Sequence, residues 1–363
     1  MINKIAVKNF KCFENFELPL KSVNILSGIN GMGKSTMIQS LLLLRQSALK
    51  SDGIKGLHLN GEYLLLGSGQ DILYERAEEE RIELGYGDGK GEHSWTFQYL
   101  PDSDFLPVIN RNEKNTDSEL FGKYFSYLSA YRIPPQDLYR IRNEEEINSR
   151  EFGNDGEYAL QYLNYHWDDT VENENVILPD KMGNSLGNQT KVWMDRISPG
   201  ISPQVAVNMQ LRKSEVRYEF VEGREKTKSY KSINVGFGIT YVLPLMIALV
   251  SAKKGDIIII ENPEAHIHPA GQRALGELIA RVGMGGVQII AETHSDHILN
   301  GVRLAVKNRV LSKEETILSF FYKDFADGYR HKCIHPEILQ DGRLDRWPEG
   351  FFDEWDKALY ELV

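Results

Sequence analysis

Residues 28–36, Gly-Ile-Asn-Gly-Met-Gly-Lys-Ser-Thr, constrain this chain more than any other stretch. They match G-x-x-x-x-G-K-[ST], with Gly28, Gly33, Lys34 and Ser35 on the fixed positions. Residues 23–27, Val-Asn-Ile-Leu-Ser, read as a short buried strand, and residues 37–45 read as a helix. The motif needs that strand–loop–helix setting. Glycines let backbone N–H groups close around phosphate oxygens, and the positive end of the helix favours the anion. Asn30, Gly31, Gly33, Lys34, Ser35 and Thr36 are the candidate phosphate contacts. Lys34 is expected to reach the β- and γ-phosphates and Ser35 to hold Mg2+. The implied fold is α/β and the implied ligand is a nucleoside triphosphate.

Composition narrows the classes. With 41% apolar residues the chain has enough material for a full core. Its longest apolar run, residues 242–252 broken by Pro244, falls well short of the roughly 18 residues of a membrane span. No charged-then-apolar leader opens it. Two cysteines, Cys12 and Cys333, give neither a disulfide framework nor a paired zinc motif, which fits a reducing cytoplasm. A net charge of -10 argues against coating nucleic acid by charge alone, and leaves DNA open as a partner through a local basic groove.

Residues 3–20 alternate apolar and polar as two short strands would, and residues 81–100 read as a hairpin turning at Gly-Asp-Gly-Lys-Gly. From about 101 to 230 the composition turns polar and aromatic. A buried strand is expected at 124–130, short helices near 155–166 and 190–196, and a second hairpin near 204–222. No a/d heptad is sustained there. From 231 an alternating pattern returns: helix 237–252, strand 256–260, helix 271–282, strand 287–291 and helix 296–306. Such alternation predicts a parallel sheet flanked by helices.

Four further constellations could carry chemistry. The run Asp-Ile-Ile-Ile-Ile-Glu-Asn-Pro-Glu at 256–264 is a dry strand ending in acids, as a metal–nucleotide site requires. Glu261 is the candidate for the Mg2+ shell. A second buried strand ends in Glu-Thr-His, and His294 at such an end can touch a γ-phosphate or orient water. Asn234, Gly236 and Gly238 precede a helix and offer N–H groups to phosphate. His266 and His268 alternate just after the acidic strand end; a dimer contact, a metal site and an ordinary loop all remain open for them.

Together these residues resemble the ABC-type ATPase heads of the SMC, RecF and OLD-like group. The opening Ile-Ala-Val-Lys-Asn-Phe-Lys-Cys-Phe at 5–13 is similar to that group's first strand. Residues 28–36 are similar to its phosphate loop, residues 261–269 to the acidic strand end of the OLD-like branch, and residues 293–295 to its switch histidine. Residues 341–354 look like a short C-terminal domain of unknown function carried by many small bacterial ATPases. The resemblance implies a P-loop head with a mixed N-terminal β-subdomain, a parallel core sheet flanked by helices and an α+β insertion. The expected layout is 1–100 for the N-terminal part of the head, 101–230 for the insertion, 231–310 for the C-terminal part and 311–363 for a tail domain.

The resemblance also implies ATP and Mg2+ as cofactors and a head-to-tail homodimer or higher assembly. In it the loop of one copy faces the signature element of the other, matched here by Asn234, Gly236 and Gly238. Where the family usually carries a catalytic Glu, this chain has Asn262, an amide that accepts no proton from water. Either Glu264 substitutes, or hydrolysis is slow and ATP serves mainly as a clamp. The catalytic set is therefore Glu261, Asn262, Glu264 and His294, with Ser35 and Glu261 on the metal.

Too few residues follow His294 for the Toprim nuclease of OLD proteins, and residues 101–230 lack the coiled coil of SMC and RecN proteins. The expectation is a cytoplasmic ATPase that controls a separate effector, such as a nuclease, in bacterial defence against phage. The alternative is a RecF-like repair ATPase clamping DNA through a groove built from Arg132, Arg140, Arg142 and Lys191. A transporter ATPase is a third reading, for which no coupling partner is visible.

Overall fold

The computed structural model describes residues 1–112, 118–143, 146–147, 150, 152–179, 182–223 and 225–362. In chain order the elements begin β1 (Ile2–Phe10), β2 (Phe13–Pro19), β3 (Val23–Gly28), α1 (Lys34–Leu49), β4 (Gly56–His58), β5 (Arg81–Asp88), β6 (Gly91–Gln98) and β7 (Phe105–Asn112). Next come β8 (Phe125–Leu128), β9 (Tyr139–Arg140), α2 (Ala159–Tyr165), α3 (Leu186–Ile197), β10 (Ile201–Asn208), β11 (Lys213–Glu222), β12 (Glu225–Lys226) and β13 (Tyr230–Lys231). The remainder is α4 (Phe237–Val250), β14 (Ile257–Glu261), α5 (Pro269–Met284), β15 (Gln288–Glu292), α6 (Asp296–Lys307), β16 (Thr316–Asp324), β17 (Arg330–Ile334) and α7 (Glu354–Leu362). The chain forms two compact units. One comprises residues 1–122, 317–337 and 345–363, and the other residues 123–316 and 338–344.

In the first unit the strand order is β2-β1-β5-β6-β7-β4. The alternation along β1 buries Ile5 and Val7 while Lys4, Ala6 and Lys8 stay partly accessible, as one buried sheet face demands. The β5–β6 hairpin is tightened by Asp88, whose Oδ1 accepts from the N–H groups of Lys90 at 2.7 Å and Gly91 at 3.2 Å. Helix α1 buries Leu41, Leu42, Leu43 and Leu44 all round its circumference, so it is a core helix rather than an amphipathic surface one. The phosphate-loop strand β3 lies beside β16, which pairs antiparallel with β17.

The second unit holds three parallel strands in the order β15-β14-β8. Strand β14, Ile-Ile-Ile-Ile-Glu, is the continuous apolar run of a strand covered on both faces. Ile257 pairs with Phe125 on one side and Gln288 on the other, and Ile260 with Leu128 and Ala291. This register brings the carboxyl ends of all three strands level, where open α/β sheets place ligands. The unit also contains the antiparallel pair β10–β11, joined by β9, β12 and β13, and helix α4, whose residues 240–250 are all buried despite Pro244 inside it.

Candidate nucleotide site

The phosphate loop belongs to the first unit. Gly28, Gly31 and Gly33 hold φ of 134°, 78° and 104°, the left-handed region that glycine enters without strain. Gly28 has a second reason for its identity: a Cβ there would lie 2.3 Å from the Phe321 carbonyl oxygen on β16. The loop curls so that Lys34, 3% exposed, donates from Nζ to the carbonyls of Gly28 at 2.8 Å and Ile29 at 3.0 Å. An ammonium held inside a ring of left-handed glycines at the start of a 16-residue helix is the donor set that polyphosphate needs. Thr36 sits beside the β1–β2 turn, its Oγ1 accepting from the Cys12 thiol at 3.8 Å. His331 of β17 hydrogen-bonds to the backbone of Gly31 and Cys12 and meets the Phe13 ring edge-on at 6.1 Å. Burial lowers the His331 pKa, favouring the neutral ring.

The first unit also carries a cavity of about 650 Å³. The β1–β2 turn at Lys11–Asn15, the segment Asp71–Arg76 and the β16–β17 hairpin line it, with Lys11, Arg76, Lys323 and Arg330 as its cations. Sequence reasoning missed this wall, because the hairpin closing it lies about 300 residues beyond the turn opening it.

In the second unit the acidic strand end is fixed by its neighbours. Glu261 Oε2 accepts from the Ala130 N–H at 3.2 Å, and Tyr127 donates to the same carboxylate. Burial raises the Glu261 pKa, opposed by these two bonds and by the Arg132 charge. Asn262 adopts φ 45°, and its N–H donates to the Glu292 carbonyl at 2.9 Å. Asparagine is among the few side chains that enter this left-handed region readily. The asparagine at 262 therefore has a backbone rationale.

Glu264 bridges to the end of β15. Its Oε2 accepts from the Thr293 hydroxyl at 2.7 Å and its Oε1 from the His294 N–H at 2.7 Å. The sequence reading set Glu264 and His294 side by side as candidates, and the structure joins them through the backbone at His294, whose residue is exposed. Ser295 caps α6 by accepting from the N–H groups of His297 and Ile298, both at 3.1 Å.

The candidate signature element lies at the start of α4. Asn234 ends a short 3-10 turn and Gly236 caps the helix. Gly238 is demanded by close approach, since a Cβ there would stand 1.9 Å from the His266 carbonyl oxygen. The His266 ring packs on Phe237 at 4.6 Å and Tyr241 at 5.2 Å, and His268 caps α5 by accepting from the Ala270 N–H at 3.3 Å. Among the described residues no group of three or more His, Cys, Asp or Glu side chains could hold a metal.

The basic set proposed for a DNA groove changes. Arg132 is 3% exposed and spends its donors on backbone carbonyls. Arg142 lies over the Tyr158 ring at 4.3 Å and Lys191 over the Trp167 ring at 4.8 Å, while Arg140 is exposed on β9. Among the described residues no helix is long and apolar enough to cross a membrane.

A left-handed glycine loop opening a core helix, together with parallel strands that end level in acids, defines an α/β P-loop ATPase head of the SMC type. Residues 23–300 match the family described as "AAA domain, putative AbiEii toxin, Type IV TA system", and the chain belongs to that family. Residues 311–362 match a second family, described as a protein of unknown function (DUF3696). Among solved structures, an SMC head bound to the C-winged helix domain of ScpA is similar at 15% identity and TM-score 0.55, covering 93% of this chain and 98% of that one. An SMC head with an extended coiled coil from Pyrococcus furiosus, bound to the C-terminal domain of ScpA, gives 13% identity and TM-score 0.49, covering 99% of each chain. The SMC head from Thermotoga maritima gives 11% and 0.46, covering 93% of this chain and 99% of that one. No curated protein matches.

Proposed function

We propose that this chain binds and slowly hydrolyses ATP, pairs with a second copy when ATP is bound, and controls a separate effector in defence against phage. The observation that carries the reading is Glu264. Both its oxygens are engaged at 2.7 Å by the segment bearing His294, so its first task is to set that segment. With Asn262 in the usual place of the base, proton abstraction has no dedicated acceptor, and slow turnover follows. The phosphate loop supplies binding: Lys34 and the Gly31–Thr36 N–H groups take the phosphates. Ser35 on the phosphate loop is the ligand assigned to Mg2+, which when bound would neutralise charge on the transferred phosphoryl group.

The family description, which names a toxin of a type IV toxin–antitoxin system, supports a role in a two-part system. A neighbour solved with a ScpA domain supports a partner protein docking on a head. A nuclease is the effector class proposed. The DNA-clamp alternative loses Arg132 to the interior. The test is ATP turnover and oligomeric mass, measured with and without ATP and DNA. Slow turnover with ATP-driven doubling of mass is expected. Absence of ATP binding, or DNA cleavage by the purified chain alone, overturns the proposal.

A further inference from the structure

We propose that Arg132 is the positioning residue that fixes the acidic end of β14, setting where Glu261 and Glu264 are presented. The proposal rests on the ATPase reading above. Arg132 follows β8, three strand ends lie level at that edge, and its guanidinium is directed across the row. Nη1 donates to the Glu261 carbonyl at 2.9 Å and the Ser129 carbonyl at 3.3 Å, and Nη2 to the Asn262 carbonyl at 2.6 Å. The group lies over the Tyr241 ring at 4.4 Å, and the Tyr241 hydroxyl donates to the Ala130 carbonyl. Ala130 in turn donates to Glu261, so one guanidinium and one phenol hold both the backbone and the carboxylate of the strand end.

This is a costly way to make a loop stable. A guanidinium that is 3% exposed, with no carboxylate within ion-pair distance among the described residues and with Nε unpartnered, gives up hydration that three carbonyls and a ring replace only in part. What the arrangement supplies is geometry. The planar fork spans two consecutive carbonyls on either side of the left-handed Asn262, a bridge that a lysine point charge does not reproduce. Tyr241 lies on α4 one turn beyond the signature glycines, and its ring also packs on Phe237 and His266. Through Tyr241, movement at the start of α4 is transmitted to the strand end that carries Glu261.

The experiment compares wild type, R132K and R132M for ATP turnover, Mg2+ dependence, binding of a fluorescent ATP analogue and thermal unfolding. Analogue binding resides on the phosphate loop and is expected to stay at the wild-type level. The kcat of R132M is expected to fall about 10- to 100-fold, the usual cost of losing a supporting partner of a metal or catalytic group. R132K is expected to recover only part of that loss, and both variants to need more Mg2+ for half-maximal rate. An R132M kcat equal to wild type overturns the proposal, as does loss of analogue binding in step with kcat. If R132M fails to fold, R132K decides alone: a wild-type kcat and Mg2+ profile overturns the positioning role. A wild type that binds ATP without turnover overturns the ATPase reading and this inference together, an outcome visible before any variant is made.

Discussion

Replacing Glu264 separates holding from chemistry. In E264A the Thr293 hydroxyl, fully buried, loses its acceptor, while the His294 N–H, on an exposed residue, turns to water. A hydrogen bond to a charged group contributes about 1.5–3 kcal/mol net, and a buried donor left unmade costs about 1–3 kcal/mol. The exposed N–H recovers most of its share, so the two effects give about 2–4 kcal/mol in all. For a unit of this size that lowers Tm by about 5–15 °C. E264Q is milder. Its carbonyl still accepts from His294, and its amide can donate to Thr293 Oγ1, which already accepts from the Ser295 N–H at 3.0 Å. Only the hydroxyl proton loses its partner, at about 1–2 kcal/mol. Thermal unfolding measures the first effect, and ATP turnover well below both transitions measures the second. Slow turnover that E264Q leaves unchanged and E264A reduces would establish a holding role. E264A with a wild-type Tm, or E264Q as damaging as E264A, would refute the reasoning.

Other outcomes follow from the same geometry. K34A is expected to abolish ATP binding by equilibrium titration, because it removes the ammonium that the loop holds at its centre; retained affinity would remove the loop from the site. G238A drives a methyl onto the His266 carbonyl and is expected to cost about 1–3 kcal/mol or more in denaturant unfolding, where no loss would refute the close approach. Asp256 pairs with Arg150 at 2.8 Å, yet burial dominates and pushes its pKa up to about 6 from 3.8. A raised folded pKa means the native state binds the proton more tightly, so its contribution falls as pH rises from about 4 to about 6 and is flat above, by at most about 3 kcal/mol. The stability difference between wild type and D256N should therefore decline across that interval, and a difference independent of pH would contradict the burial argument.

What was legible in the sequence was what repeats locally. The phosphate loop carries its spacing within nine residues, and β14 and β15 declare themselves as apolar runs ended by acids. Their boundaries moved by a residue or two, and α1 runs on to Leu49, beyond its last buried residue, Ser47. The supports of the site were not legible. Arg132 reaches carbonyls about 130 residues away and was grouped with surface cations, since charge alone does not distinguish a buried guanidinium. The Glu264–Thr293 bond spans 29 positions, and the left-handed turn at Asn262 leaves no periodic trace. Asn262 read from sequence as a missing base; in the structure it is also the residue the backbone accepts there.

The contact of Gly28 with the Phe321 carbonyl has a consequence for the order in which the protein is made. The phosphate loop leaves the ribosome about 290 residues ahead of the strand it rests on, about 15–60 s at ordinary elongation rates. Through that interval the loop lacks β16 and the His331 imidazole that ties it to β17. A nascent chain therefore has no finished phosphate loop until β16 and β17 have both been made.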